Sequence, residues 1–177
     1  MGRPKALVEL DGEPLVARAL RTLVDGGAAP VVVVVGARSD DVRAVLPTDV
    51  RPVEAPDWAD GMGASLRAGL TALEDTAADA AVVHLVDLPG VTPGAVARLV
   101  AVAGHDVLAR AAYGGRPGHP VLLGRVHWAG VAATAVGDAG ARGYLAGRAD
   151  VRLVECGDLA APDDVDTPEQ LAAFRPT

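Results

Sequence analysis

The stretch AAVVHLVDLPG, residues 80–90, decides how this chain is read. Apolar residues run from Ala80 to Val86 around one histidine, and a carboxylate, Asp87, and a Pro-Gly turn follow. A short, continuous apolar run closed by turn residues is the pattern of a strand covered on both faces. PVVVVVG at 30–36 repeats it with β-branched residues, and VRPVEA at 50–55 is a weaker strand whose Pro52 suits an edge. Between and beyond these runs the period changes to that of helices. One starts at Pro14 and closes at Gly26-Gly27, and Ser39 caps a short one. GMGASLRAGLTALED at 61–75 is a glycine-rich entry into another, and Thr92-Pro93 opens a fourth. DVLARAAY, HPVLLG and VRLVEC follow as further strands, with short helical stretches near 125–135 and 139–148. Thr167, Pro168 and Gln170 form a capping-box helix start near the carboxyl end. Strands alternating with helices imply an open α/β sheet wound on both faces. In such sheets a ligand lies beyond the carboxyl ends of the strands, which directs attention to Asp87.

Composition narrows the class. The 177 residues, without internal repeat or linker, suit one domain spanning 1–177. Half are apolar but only 3% aromatic, so the core must be built from Val, Leu and Ala. A net charge of −7 argues against non-specific nucleic-acid binding, which needs basic surface to displace counterions. It leaves room for a small anion held by a few local cations. The single Cys156 permits no internal disulfide, and neither a long apolar span nor a leader is visible, so a cytoplasmic protein is expected, off the membrane. Lys5 is the single lysine among 16 basic residues. A compact ammonium on a flexible stem suits a phosphate where a planar guanidinium would not fit.

Several residues could carry chemistry. Asp87, pointing off a strand's carboxyl end, could hold Mg²⁺, a hard cation that takes one or two carboxylates plus substrate phosphates; it could equally cap a turn. Asp166 lies just before the helix cap Thr167, where favourable helix electrostatics explain it as well as a metal does. Gly61 and Gly63 allow a backbone to approach closely, and Ser65 offers a hydroxyl at a helix entry. His119, between Gly118 and Pro120, reads as a residue of a constrained, exposed loop. His84, His105 and His127 have no zinc-like spacing, and no nucleophile elbow is visible.

Six stretches taken in series, MGRPKAL (1–7), GMGASLRAGL (61–70), VDLPGVTP (86–93), RPGHPVLL (116–123), GDAGAR (137–142) and DVDTPEQL (164–171), resemble the molybdenum cofactor cytidylyltransferase type of nucleotidyltransferase. The resemblance runs the length of the chain. It implies an α/β, Rossmann-like three-layer sandwich with a mostly parallel sheet, of the nucleotide-diphospho-sugar transferase type. It implies transfer of CMP from CTP to a phosphorylated pterin with release of pyrophosphate and a requirement for Mg²⁺. By the same resemblance Asp87 and Asp166 are the metal-side carboxylates, and Lys5 and Asp87 are catalytic. Gly2, Arg3, Lys5, Gly61, Met62 and Ser65 would contact the nucleotide, and Gly118, His119, Pro120, Asp138 and Arg142 would lie on the substrate side. A contact with a molybdoenzyme or its chaperone is left open.

The pattern departs from the family at its start. Family members begin with an apolar strand and a loop of the form L-A-A-G-x-G-x-R ahead of the M-G-x-x-K portion, and this chain opens at the second portion. The expectation is therefore a sheet without its first strand, with two strand edges uncovered. Two alternatives accompany the main reading: an enzyme using GTP or another acceptor, and a non-catalytic nucleotide-binding module.

Overall fold

The computed structural model describes residues 4–50 and 52–174. A short hairpin, β1 (Glu9–Leu10) and β2 (Glu13–Pro14), leads into α1 (Leu15–Asp25). Then come β3 (Val34–Val35), α2 (Ser39–Ala44), β4 (Val53–Glu54), α3 (Met62–Glu74), β5 (Ala80–Val83) and α4 (Pro93–Val100). The second half contains β6 (Leu108–Tyr113), β7 (Arg116–Gly124), α5 (Trp128–Thr134), α6 (Arg142–Leu145), β8 (Val151–Glu155) and α7 (Pro168–Ala173).

The class is α/β and Rossmann-like, with mixed strand direction. A four-stranded sheet has the order β5-β7-β6-β8, and β3 and β4 form a separate parallel pair. β8 runs parallel to β6, whereas β7 runs antiparallel to both β5 and β6. The hairpin β6–β7 turns on Gly114 and Gly115, at φ of +59° and +76°. Two consecutive glycines between alternating strands are a direct signal for such a turn. Strand alternation sends Ala109 and Leu122 to a core roofed by α4 (Val96, Leu99). Leu108, Val121 and Leu123 go to the opposite core, against α3 and α5 (Leu70, Trp128, Val131). These are the three layers.

Two of the expected strands differ from their sequence pattern. Only Val34–Val35 of the 30–36 run enters a ladder, and only Ala80–Val83 of the 80–87 run does. Both are half-buried for most of their length rather than fully covered. The reason lies between them: a cavity of about 1150 Å³ is lined by residues 30–37 on one wall and 77–86 on the other. α1 (Leu20, Leu23) and α3 (Leu66, Leu70, Leu73) supply its remaining sides. Among the described residues no hydrogen-bonded ladder joins β3 to β5 across it. A strand stripped of a neighbour loses pairing on that side and surrenders burial with it.

Candidate active site at the carboxyl end of β5

Asp87 lies in the turn that follows β5, with Pro89-Gly90 carrying the chain away towards α4. Its backbone carbonyl accepts a hydrogen bond from the Val165 amide at 2.9 Å, which pins the segment before α7 beside it. Asp166 is the next residue along. The side-chain carbonyl of Gln170 accepts from the Asp166 amide at 2.8 Å and the Thr167 amide at 2.9 Å, and Thr167 Oγ1 accepts from the Gln170 amide at 3.2 Å. The capping box thus holds Asp166 in place as well as starting the helix. Below it, Val8, Leu10 and Leu15 from the start of the chain pack on Val165 and Leu171 from its end. That small core brings Lys5, in a single 3₁₀ turn over Lys5–Leu7, to the two carboxylates.

The Lys5 ammonium donates to Asp87 Oδ2 at 2.8 Å and also to Asp166 Oδ1. Burial alone would lower its pKa, but the hydrogen bonds it donates to Asp166 and Asp87, with their negative charges, outweigh that, and Lys5 is held above its ordinary 10.5. It is charged throughout the neutral range. Two carboxylates converging on one cation are a hard-oxygen donor pair, which fits a divalent ion whose remaining positions are taken by phosphate oxygens and water. Among the described residues no group of three or more His, Cys, Asp or Glu is placed to hold a metal ion.

The other expected contacts separate into two groups. Gly61, at φ +105°, precedes α3, and Met62 and Ser65 stand in its first turn. The close approach that Gly61 and Gly63 allow is made by the protein itself. A Cβ on Gly61 would meet the Gly137 carbonyl carbon at 2.5 Å, and one on Gly63 would meet the Ala135 carbonyl oxygen at 2.5 Å. Asp138 Oδ1 accepts from the Met62 amide at 3.3 Å, so this carboxylate caps α3 from a distant segment. Gly118, His119 and Pro120 form the second group. In the ladder Arg110 pairs with Val121 and Ala112 with Pro117, so Ala111 alone stands opposite all three. They are a bulge within β7, a device common beside active sites. His119 is therefore not on an exposed loop: the hairpin carries the ladder past it, and its Nδ1 is buried without a partner among the described residues. Burial lowers its pKa, with Arg110 and Arg142 acting in the same sense. Arg142 opens α6 and shares the cavity wall with Met62, Ser65 and His119. Gly2 and Arg3 lie outside the described residues.

Two residues stand out more in the structure than in the sequence. His84, just past the last paired residue of β5, is pushed down to about 4 by burial, with the neighbouring His119 adding to the effect. Arg110 stands on β6 at a position that alternation assigns to the core against α3. The signal for Arg110 was present in LARAAY, where a cation interrupts an apolar strand.

An α/β fold with two carboxylates and a lysine gathered just past the carboxyl end of β5 suits a phosphate-handling enzyme of the nucleotidyltransferase type. The chain belongs to the MobA-like NTP transferase domain family, whose model matches residues 1–153. It is 37% identical over 181 aligned residues to nicotine blue oxidoreductase of Paenarthrobacter nicotinovorans, covering 97% of this chain and 88% of that protein. Among solved structures it is similar to Rv0371c of Mycobacterium tuberculosis H37Rv, at 25% identity and a TM-score of 0.81, covering 98% of this chain and 89% of that one. A manganese complex of Rv0371c superposes with a TM-score of 0.78, also at 25% identity, over 97% and 90% of the two chains. No helix among the described residues is long and apolar enough to cross a membrane.

Proposed function

We propose that this protein, a single domain over residues 1–177, transfers CMP from CTP to a phosphorylated pterin and releases pyrophosphate, with Mg²⁺ as the working cation. The observation that carries the reading is the convergence of Asp87, Asp166 and Lys5 at one point of the sheet edge. The manganese complex of a relative supports a divalent ion in the family. Asp87 and Asp166 would hold that ion, which would supply neutralisation of phosphate charge there. In the reaction a terminal phosphate oxygen of the acceptor forms a bond to the α-phosphorus, and the bond from that phosphorus to the β-phosphate oxygen breaks. The electron pair leaves with pyrophosphate. The attacking oxygen is already ionised at neutral pH, so no general base is required. Lys5 stabilises the negative charge as it shifts towards the leaving group. The chain needs only to position and neutralise, which suits a site without a histidine–carboxylate dyad. The free, buried Cys156 suits a reducing, cytoplasmic setting.

The test is pyrophosphate release from CTP and from GTP with Mg²⁺ and the pterin acceptor. Asp87→Ala should lower it about 100-fold or more, and an unchanged rate would remove Asp87 from the metal site. Faster release from GTP would reassign the nucleotide. A nucleotide-induced thermal shift without pyrophosphate would leave a binding module. The 37% identity to nicotine blue oxidoreductase favours a second reading, an oxidoreductase acting on nicotine blue on the same scaffold. Turnover of nicotine blue with an added redox partner, in the absence of nucleoside triphosphate, would select it.

A further inference from the structure

Trp58 stands apart in a chain with only 3% aromatic residues. It is 47% exposed, whereas every other Trp, Tyr and Phe is buried or half-buried. The backbone around it is tied down. The Ala55 amide at the end of β4 donates to the Val35 carbonyl of β3 at 2.9 Å, and the Ala55 carbonyl accepts from the Trp58 amide at 3.2 Å. The Gly61 amide then donates to the Trp58 carbonyl at 3.2 Å, closing a 3₁₀ turn over Trp58–Asp60. The side chain lies against Gly36, just past the carboxyl end of β3. A Cβ on Gly36 would meet Trp58 Cβ at 2.6 Å and Cγ at 2.7 Å, so glycine there leaves the room that the root of the indole fills. Among the described residues the ring has neither an aromatic nor a cation–π partner. Met62, at the start of α3, and Val136, on the segment packed against that start, are exposed as well. Exposed apolar side chains gathered at one place mark a surface for a ligand more often than isolated ones do.

One apolar cluster relates this place to the carboxylates. Val35, one residue before Gly36, and Val86, one residue before Asp87, both belong to it, and so do Ala6 and Leu7 beside Lys5. The indole and the Asp87–Lys5 pair therefore lie at the same end of the β3 and β5 runs. The two strands are not paired, so more than one strand spacing, about 5 Å, separates them.

We infer that the Trp58 indole is the stacking face for the flat heterocycle of a substrate. The assignment rests on the nucleotidyltransferase reading of the site. Two sources could bring such a ring, the base of the nucleoside triphosphate and the ring of the acceptor. The base fits the spacing, since a nucleotide whose phosphates lie at Asp87 and Lys5 carries its base a ribose away. An indole accepts purine and pyrimidine alike, because every base has a π-face. Trp58 therefore adds affinity without choosing between CTP and GTP.

The experiment titrates CTP, tripolyphosphate and free pterin, each with Mg²⁺, against the wild type, Trp58→Phe and Trp58→Ala, by calorimetry and by tryptophan fluorescence. Trp128 is buried in the core and supplies a constant background. CTP should quench the wild-type emission and leave that of Trp58→Phe unchanged. Trp58→Ala should weaken CTP about tenfold, and Trp58→Phe should recover most of the loss. Tripolyphosphate, which has no base, should bind all three alike. Trp58→Phe keeps a ring on Gly36 and serves, through its lost quenching, if the alanine variant does not fold. Quenching by pterin in place of CTP would support the platform and give it to the acceptor. No quenching by either ligand, or an equal loss of CTP and tripolyphosphate in Trp58→Ala, would overturn it. Failure of the nucleotidyltransferase reading shows separately, as CTP that quenches Trp58 while no pyrophosphate is released.

Discussion

His84 illustrates what one buried base does to a small α/β protein. Its pKa is pushed from an ordinary 6.5 to about 4, first by burial and then by His119. Unfolding restores the ordinary value, so the unfolded chain binds the proton more tightly than the folded one. The stability carried by neutral His84 is therefore complete above about pH 6.5 and declines as the pH falls from there to about 4, by on the order of 3 kcal/mol. His119 is lowered as well and pushes in the same direction. Chemical denaturation at pH 7 and at pH 4.5 should show this loss, and His84→Leu should shrink it; an undiminished loss would place the acid sensitivity in other groups. Lys5 behaves in the opposite sense, being raised by its two carboxylates and charged at any pH at which the enzyme would work. Lys5 stood out in advance because it is a lone lysine in an arginine-rich chain. The placement of Asp166 beside it was not legible from its position alone, since a carboxylate before a helix cap is ordinary. Only the Val165–Asp87 hydrogen bond shows why it sits beside Asp87.

At the scale of elements, local chemistry predicted starts and stops better than partners. The Thr167–Gln170 capping box and the Thr92 cap formed as their spacing indicates, with Thr92 Oγ1 accepting from the Ala95 amide at 3.3 Å. The β6–β7 hairpin was misread at Gly118-His119-Pro120 because Pro117 precedes the triplet and Pro120 ends it, and proline argues for a loop. A three-residue bulge accommodates them within the strand instead. The glycine-rich entry to α3 was correctly located, but its glycines admit residues 135–138 rather than open space. This can be measured. Gly61→Ala should cost at least about 2 kcal/mol, from the φ of +105° and a collision with the Gly137 backbone. Gly12→Ala, at φ +80° with nothing within 4 Å, should cost about 1 kcal/mol. If the two variants shift the urea midpoint equally, tight packing of the 135–138 segment on α3 is refuted.

For the whole molecule, the alternation of runs and helices was enough to reach the α/β class, whereas strand order and direction were not. Order depends on which edges meet across long sequence separations, and periodicity carries no record of that. The void between the Val31–Val35 and Ala80–Val86 runs has a further consequence, for the behaviour of many copies rather than one. Among the described residues the ladder edges of β3 and β5 that face this apolar channel have no strand partner, and such edges are a template for any extended hydrophobic chain, including a second molecule. Concentrated solutions should therefore associate, with light scattering rising with protein concentration. Val32→Lys, which places a charge on the channel wall, should act as a gatekeeper and suppress it. Scattering that is independent of both concentration and this substitution would mean that the helices α1 and α3 guard the channel well enough. Otherwise the yield of monomer will be set by how quickly that channel is occupied after folding, a kinetic race that the chemistry at the sheet edge does not influence.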